Sequence, residues 1–372
     1  MKKKKLLHIT SSLKRGGAEV LLCDIIEKLG DKQFEHHVAY FHPGPHVKRL
    51  EAMGVRLYHL HGFFFLYDPL FFVQLFRLFK AVQPDCIHSL LWAANVTSRV
   101  IAKCLSIPHI SAYHIHINQD GAVRKLLDII TLRFADKMVA VSQDVANSFL
   151  PAVPAKKKKN VSVIENGIDA RAIRAKAKEH AVARQTLGLS KEHFVIGTVG
   201  RFAPRKNFPL LLESFVQIQK KFPHTRLVIV GTGPDEQKLK TYAQQLGVQE
   251  TAVFVVNQPA YGYFPLFDCF VQPSDKEGLS IALLEAMSFG IPCTVVETTR
   301  QHPVIRHRKN GLVVGKSDRL LLARQIFFLI QNVQKTKELG AAGRADAESR
   351  FSVNRMVNSY RQLFLKISNR NC

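Results

Sequence analysis

Short apolar segments alternate with amphipathic helical segments along the whole chain, and this alternation limits the possible folds more than any other feature. Each apolar segment has the length of a β-strand, and each segment between carries apolar residues at helical spacing. Such alternation is typical of parallel sheets covered by helices. The predicted strands cover residues 6–10, 37–41, 86–90, 109–113, 137–141, 161–165, 194–199, 226–230, 252–256, 268–272 and 292–296.

The composition changes near the middle of the chain. Residues 169–193 are rich in Ala, Lys and Arg and poor in large apolar residues, so we predict an inter-domain linker there. We therefore expect a Rossmann-like domain over residues 1–168 and a second one over residues 194–352. The length of 372 residues also favours two domains. Two such domains in tandem place a ligand cleft between them, at the C-terminal ends of the strands.

The net charge of +24 is spread over both halves of the chain, which favours attraction to an anionic membrane surface or a polyanionic ligand. No helix-turn-helix, zinc-finger or RNP-like pattern accompanies the charge, so nucleic acid is not an expected partner. The six cysteines are scattered without a CxxC pair, as free thiols are in a reducing compartment. No apolar run reaches 18 residues, and the run behind the N-terminal lysines is too short for a signal peptide. We expect a cytoplasmic protein.

The segment 273–290 combines a strand end, a glycine-containing turn and a helix start. Free backbone N–H groups and the positive end of the helix dipole suit an anion or a sugar at such a place, and carboxylates accept hydrogen bonds from sugar hydroxyls. The alternative is that the glutamates lie on the surface and only favour the helix dipole. The candidate binding groups are the side chains of Glu277 and Glu285 and the backbone N–H groups of Gly278, Leu279 and Ser280.

A second candidate site follows the predicted strand 194–199. Gly200 and Arg201 begin a short loop that ends near Lys206, just before a helix. An arginine fork and a lysine ammonium beside a helix start can bind a diphosphate, although a solvated basic loop has the same composition. The Gly231-x-Gly233 sequence after the next strand lacks the third glycine of a dinucleotide fingerprint, which favours a structural turn.

The first half contributes weaker candidates. Gly16 and Gly17 follow the first strand and allow close approach of a phosphate or sugar, but glycines also simply make turns. His114 and His116 follow the strand 109–113, where the cleft rim is expected, and a strand-end histidine is also commonly structural.

The Phe-rich segment has two possible roles. Leu70, Phe71, Leu75, Leu78 and Phe79 recur at helical spacing, which predicts one buried face. Insertion into a membrane surface is the alternative, and the role of residues 63–65 stays open. The lysine runs 2–5 and 156–159 are predicted to be solvated, with a membrane-surface role as the alternative.

Together these motifs make the chain resemble the retaining family 4 glycosyltransferases of the GT-B fold over nearly its whole length. The G-R-x4-K loop combined with the E-x7-E spacing is a specific pair of motifs. The segments that carry the resemblance are 16–19, 108–114, 139–142, 166–169, 200–206, 273–274 and 277–287.

The resemblance implies a role for each matching residue. Two Rossmann-like βαβ domains would face each other across a cleft, with the C-terminal helix at about 353–372 packed back on the first domain. The donor is a nucleotide sugar, and neither a cofactor nor a metal is required. By likeness, Arg201 and Lys206 bind the donor diphosphate, Glu277 lies near the donor sugar, Glu285 contacts the ribose, His114 is the active-site histidine with His116 as the alternative, and Gly16 and Gly17 close over the phosphates.

The expected function is transfer of a hexose from a nucleoside diphosphate donor, with UDP favoured, to a glycan or lipid-linked acceptor at the inner membrane face. The alternatives are a nucleotide-sugar epimerase on the same fold and a non-catalytic protein that binds membranes or polyanions. The chain departs from the family pattern at residues 298–303, where a Gly-Gly-x-x-Glu segment is usual, and at Val256 and Ile115. These departures concern the sugar preference and the acceptor rim.

Overall fold

The computed structural model describes residues 3–14, 16–62, 68–117, 121–274, 277–297, 304–315 and 318–369. The chain divides into two compact units, unit 1 (Met1–Asn166 with Val353–Cys372) and unit 2 (Gly167–Ser352). Each unit is built on one sheet in which all paired strands are parallel. The predicted α/β class with two Rossmann-like units is therefore confirmed. The Phe residues at 63–65 lie outside the described part of the chain.

Unit 1 contains a seven-stranded sheet with the order β3-β2-β1-β4-β5-β6-β7, so the strand order reverses between β1 and β4. Every residue of β4 and β5 is buried, as expected for strands inside a parallel sheet. The strands are β1 (Lys4–Ser12), β2 (Phe34–His42), β3 (Arg56–His59), β4 (Cys86–Leu90), β5 (His109–Tyr113), β6 (Lys137–Ala140) and β7 (Val161–Val163). The helices are α1 (Gly17–Leu29), α2 (His46–Ala52), α3 (Pro69–Val82), α4 (Trp92–Cys104), α5 (Ala122–Leu132) and α6 (Gln143–Phe149).

The helix α3 begins where its sequence predicts and buries most of the predicted face. The Asp68 carboxylate accepts a hydrogen bond of 2.9 Å from the backbone N–H of Leu70, and Pro69 occupies the first turn. Phe71, Leu75, Leu78 and Phe79 are buried. The prediction was wrong for Leu70, which is 69% exposed, because it lies on the opposite side of the helix from Phe71 and its neighbours.

Unit 2 contains a six-stranded sheet with the order β10-β9-β8-β11-β12-β13, and its core lies between β8, β9 and the helices that cover them. The strands are β8 (Phe194–Arg201), β9 (Thr225–Thr232), β10 (Ala252–Val256), β11 (Cys269–Gln272), β12 (Cys293–Glu297) and β13 (Leu312–Gly315). The helices are α7 (Ala170–Glu179), α8 (Phe208–Lys221), α9 (Glu236–Gln245), α10 (Ile281–Ser288), α11 (Arg319–Gln331) and α12 (Val333–Ser349).

The segment 169–193, predicted as a linker, groups with unit 2 and contains α7. The Asp169 carboxylate caps this helix by accepting a hydrogen bond from Ala172 N. Arg174 attaches α7 to α10 and α12, because its guanidinium donates to Ser288 O at 2.8 Å and pairs with the Glu348 carboxylate. The segment 169–193 is polar because α7 is stabilised by its cap and by the contacts of Arg174, and it does not need a large apolar face.

The C-terminal helix α13 (Val353–Ser368) belongs to unit 1, where it packs beside α1. Its aromatic residues Tyr360 and Phe364 lie against His88, and Phe364 also contacts His8. The helix therefore covers a row of buried imidazoles on the sheet. None of the helices that the structure describes is long and apolar enough to cross a bilayer.

Candidate functional site

The basic loop after β8 lies at the C-terminal end of a central strand of unit 2. Arg201 is the last residue of β8, and a short 3-10 turn, Pro204–Lys206, leads into α8. The Arg201 side chain is exposed and makes no ion pair with the part of the chain that is described. Its planar guanidinium is thus available to an anion.

Glu277 follows β11, the strand that pairs with β8 through Cys269 and Ile196. Because the two strands are parallel neighbours, their C-terminal ends meet, and Lys206 Nζ donates a hydrogen bond to Glu277 Oε1. The Lys206 and Glu277 side chains are only 13% and 11% exposed. The structure therefore joins the two predicted motifs in one buried ion pair.

The electrostatics of this pair keep the Glu277 carboxyl ionised. Burial alone would raise its pKa, but the Lys206 ammonium, assisted by Arg205, holds the pKa below the usual value for glutamate. An ionised Glu277 accepts hydrogen bonds but cannot donate one. It can thus bind sugar hydroxyls, whereas a role as general acid does not fit.

The helix α10 begins next to this pair, as the segment 273–290 predicts. Ser280 is the N-cap, and its hydroxyl accepts from Leu283 N at 3.4 Å. Gly278, Leu279 and Ser280 are all buried. Glu285 lies in the second turn of α10 and is partly buried, so the two glutamates occupy different positions relative to the helix start.

Gly231 and Gly233 pack directly against the backbone at the start of the basic loop. A Cβ atom on Gly231 would lie 1.9 Å from the carbonyl oxygen of Gly200, and one on Gly233 would lie 2.2 Å from that of Phe202. The end of β9 therefore supports the Arg201 loop by backbone contact that only glycine permits. The predicted structural turn at these glycines has a function in positioning this loop.

One polar group at this edge was missed by reasoning from the sequence. Gln272, the last residue of β11, is buried, and its Oε1 has no hydrogen-bond partner among the described residues. A buried unpaired acceptor is costly, which makes such an atom a candidate ligand contact. The available signal was a glutamine at the end of an otherwise apolar strand.

The remaining candidates belong to unit 1. Gly16 is the N-cap of α1 and Gly17 its first residue, and a Cβ on Gly16 would meet the buried Glu19 carboxylate. His114 directly follows β5; burial lowers its pKa to about 4, and its Nε2 has no described partner. His116 Nε2 lies 2.8 Å from an Asp144 carboxylate oxygen. His114 is thus a neutral imidazole with an unused nitrogen.

Within the described ranges, no cluster of three or more His, Cys, Asp or Glu side chains could hold a metal ion. The departure from the family pattern at residues 298–303 lies outside those ranges.

Two family models match the chain in its two halves. The model described as Glycosyltransferase Family 4 matches residues 15–172, and the model described as Glycosyl transferases group 1 matches residues 180–346. The first match includes Gly16, Gly17 and His114, and the second includes the basic loop and the Glu277 turn.

Curated relatives and a solved structure agree with these matches. The lipopolysaccharide core biosynthesis glycosyltransferase LpsD of Rhizobium meliloti is 26% identical, over 97% of this chain and 98% of its own length. The UDP-Gal:alpha-D-GlcNAc-diphosphoundecaprenol alpha-1,3-galactosyltransferase of Escherichia coli is 22% identical, over 84% of each chain. The crystal structure of Anabaena HepE in complex with UDP and glucose superposes with a TM-score of 0.84 at 21% identity, covering 98% of this chain and all of HepE. The chain therefore belongs to the family 4 glycosyltransferases of the GT-B fold and is a glycosyltransferase.

Proposed function

We propose that the protein is a retaining glycosyltransferase that moves a hexose from a UDP-linked donor to a glycan or lipid-linked acceptor in cell-surface polysaccharide or lipopolysaccharide synthesis. The observation that carries this proposal is the Lys206–Glu277 pair at the C-terminal ends of β8 and β11. An ammonium and a carboxylate thus lie side by side at the C-terminal ends of two neighbouring strands, which supports a role in binding the donor diphosphate and sugar.

Lys206 and Arg201 bind the donor diphosphate. An ammonium has three N–H donors, and Lys206 directs one to Glu277, so two are free for phosphate oxygens. Arg201 adds a planar fork that can contact two phosphate oxygens at once. As the glycosidic bond to the donor breaks, the diphosphate gains negative charge, and these two cations stabilise it without a metal ion.

Glu277 and the start of α10 bind the sugar and nucleoside. The Glu277 carboxylate accepts hydrogen bonds from sugar hydroxyls through the oxygen that Lys206 does not use. The positive end of α10 lies beside the donor phosphates, with Gly278, Leu279 and Ser280 at its entry. Glu285, one turn further along, contacts the ribose.

Unit 1 offers two further candidate groups, His114 and the Gly16-Gly17 turn. A neutral imidazole with an unused Nε2 suits a hydrogen bond with a sugar hydroxyl. The backbone N–H groups at Gly16 and Gly17, at the start of α1, would contact a phosphate once the Glu19 carboxylate beside Gly16 moves away.

The comparisons support the donor and acceptor classes. HepE holds UDP and glucose, and the Escherichia coli relative is named for a UDP-sugar donor and a diphosphoundecaprenol-linked acceptor. LpsD is named for lipopolysaccharide core synthesis. The described cysteines are all free thiols, which supports a reducing, cytoplasmic setting for the reaction.

The test is a panel of UDP- and GDP-sugars incubated with bacterial lipid and oligosaccharide extracts. The proposal is supported if UDP is released only when acceptor is present and if NMR shows that the product keeps the anomeric configuration of the donor sugar. Sugar conversion without acceptor would identify an epimerase, and no turnover with any pair would favour a non-catalytic protein.

Variants test the site assignment in the same assay. Lys206→Ala and Glu277→Ala should each remove most turnover while the fold is kept. Lys240→Ala is a matched control, because Lys240 pairs with Glu236 on the exposed surface of the same unit. Turnover in EDTA equal to that with added Mg²⁺ is expected for a metal-independent reaction.

A further inference from the structure

The helix α5 differs from an ordinary surface helix, because it buries polar side chains and exposes an apolar stripe. Its buried residues are the polar Asp128 and Thr131 together with Leu132, whereas Val123 is 61% and Leu126 57% exposed. Ile130 continues the exposed stripe one turn further. A helix of a globular protein normally buries its apolar stripe and exposes its polar one.

A buried ion pair holds α5 in this orientation. Arg99 of α4 is fully buried, and its guanidinium donates to the Asp128 carboxylate at 2.5 Å. The same carboxylate accepts from the Tyr113 hydroxyl at 3.0 Å, and Thr131 Oγ1 accepts from Arg99 at 3.1 Å. Rotating α5 to hide its apolar stripe would leave the Arg99 guanidinium buried without its carboxylate, which is strongly unfavourable, although Ser111 and Tyr113 of β5 would still accept from it. The outward apolar stripe is therefore fixed by the fold.

The helix α3 adds a second exposed apolar stripe. Leu70, Val73 and Phe76 are exposed on the face opposite the buried one, and Arg77 and Lys80 share that face. The Lys80 ammonium lies 4.9 Å from the Phe76 ring centroid. Because α4 packs against both α3 and α5, the two stripes flank the same helix.

The charge of this region has one sign. We call α3, α4, α5 and the 3-10 helix Ala155–Asn160 the basic-apolar face. Its only acidic residue is Asp128, which is buried and paired with Arg99. Lys157 joins the lysine run to the end of α5 by donating to Arg133 O at 2.6 Å and to Ala135 O at 2.9 Å. The exposed basic residues of the face are Arg77, Lys80, Lys103, Arg124, Lys125, Lys156, Lys158 and Lys159.

We propose that the basic-apolar face of unit 1 docks onto an anionic lipid bilayer, with its apolar side chains in the headgroup region and its Lys and Arg side chains on lipid phosphates. Exposed apolar stripes flanked by basic side chains are the pattern of helices that lie in a membrane surface. Self-association through this face would bring like charges together, and a soluble polyanion would not engage the apolar stripes. The proposal goes beyond the donor site, since the face lies outside the residues assigned to it.

The experiment is flotation of the full chain with vesicles of phosphatidylcholine alone or with roughly one third phosphatidylglycerol. We expect binding only to the anionic vesicles, with loss of binding at high salt. Equal binding to both vesicle types, or no binding to either, would overturn the proposal. A dimer in light scattering that disappears with patch substitutions, without vesicle binding, would assign the face to self-association.

Matched variants locate the contact. Leu70→Ser with Leu126→Ser should weaken vesicle binding about tenfold, since each removes apolar area from the headgroup region. The control pair Leu320→Ser with Val333→Ser removes exposed apolar residues from unit 2 and should leave binding unchanged. An equal loss of vesicle binding in both pairs of variants would show that binding is not specific to the basic-apolar face. Thermal melting of each variant confirms that it is folded.

Charge variants and the single tryptophan complete the test. Replacing Lys156, Lys158 and Lys159 by Gln should also lower binding about tenfold, whereas the same change at Lys176, Lys178 and Lys220 should have a small effect.

Trp92, the only tryptophan, lies at the start of α4 with its indole N–H bonded to Arg124 O. Brominated lipids should quench its fluorescence. Vesicle binding without quenching would place the contact on another surface.

Discussion

Lys206 and Glu277 lie 71 residues apart in the chain, yet their side chains form one hydrogen-bonded ion pair that is almost closed to solvent. The pair exists because β8 and β11 are neighbouring parallel strands whose C-terminal ends meet. Without donor, each charge satisfies the other. With donor, Lys206 can turn its remaining N–H groups to the diphosphate while Glu277 keeps one oxygen for the sugar.

The first prediction separates the structural role of this pair from its catalytic one. Lys206→Met should lower the free energy of unfolding by roughly 2–3 kcal/mol, because it leaves the Glu277 carboxylate buried without its cation. Lys206→Met combined with Glu277→Gln should recover most of that stability, since no buried charge is left. Chemical denaturation followed by circular dichroism measures both.

Turnover should not recover in the double variant, because the diphosphate still lacks its lysine. Glu277→Gln alone completes the comparison. If the double variant lost as much unfolding free energy as the two single variants together, Lys206 and Glu277 would not be energetically coupled. If it regained activity, neither residue would bind the donor.

The second prediction concerns Arg201. Because its guanidinium is exposed and makes no ion pair with the described residues, Arg201→Met should leave the melting temperature within about 1 °C of the wild type. It should raise the dissociation constant for UDP by about tenfold or more through loss of a charge-assisted contact. Titration calorimetry with UDP measures this, and Arg226→Met is a control on the same sheet. An unchanged affinity would remove Arg201 from the site.

Three predicted segments, 86–90, 109–113 and 252–256, match β4, β5 and β10 residue for residue. β4 and β5 are central and fully buried, and β10 is an edge strand whose five residues are all apolar. The two strands that reasoning from the sequence missed, β3 and β13, are edge strands of four residues each. The edge strand β10 was predicted because it has five apolar residues in a row, whereas four-residue strands give a pattern too short to stand out.

Within the site, residue types were predictable but contacts were not. The basic loop and the Glu277 turn stood out by composition, whereas the direct Lys206–Glu277 bond depends on which strands are neighbours, and strand order is not encoded locally. The orientation of α5 depends on the ion pair between Arg99 of α4 and Asp128 of α5. Periodicity marks an apolar stripe, but it does not show which side faces the core.

The third prediction concerns the glycine beneath the basic loop. Gly231→Ala should destabilise unit 2 and shift the Gly200 backbone, because the new Cβ would lie 1.9 Å from the Gly200 carbonyl oxygen. Turnover should fall at least tenfold as Arg201 and Lys206 move. Gly121→Ala is the control, since a Cβ atom added there would meet no heavy atom within 4 Å and the φ of −59° suits alanine. A Gly231→Ala variant with normal turnover would show that the loop tolerates displacement.

The last prediction follows from a row of buried histidines on the sheet of unit 1. His36 Nε2 lies 3.2 Å from the Gly30 carbonyl oxygen, which can only accept, so that nitrogen carries a hydrogen. In neutral His36, Nδ1 then accepts from His8 Nε2, and His8 Nδ1 accepts from His88 Nδ1, each at 3.1 Å. The remaining nitrogen, His88 Nε2, is buried and has no described partner. Phe364 covers the row.

All three imidazoles therefore stay neutral in the folded protein. Burial, with repulsion from neighbouring imidazoles, lowers the pKa of His8 far below its usual value, and burial lowers those of His36 and His88 to about 4 and about 3. The other titratable groups beside the row are His37 of β2, Asp31, His114 after β5 and Tyr360 of α13, and of these Asp31 acts to raise the pKa of His36.

The unfolded chain binds protons at these positions below about pH 6.5, whereas the folded chain does not, so acid favours unfolding. This contribution to stability is complete above the unfolded pKa and declines as the pH falls from about 6.5 towards 4. From pH 7 to pH 5, each of the three imidazoles should remove roughly 2 kcal/mol of unfolding free energy from unit 1, about 5–6 kcal/mol in all. Trp92 fluorescence during urea unfolding reports on this unit, because it is the only tryptophan in the chain. His36→Gln should flatten the pH dependence, and His224→Gln, an exposed control in unit 2, should not. An equal free energy at both pH values would mean that the row is protonated in the folded state.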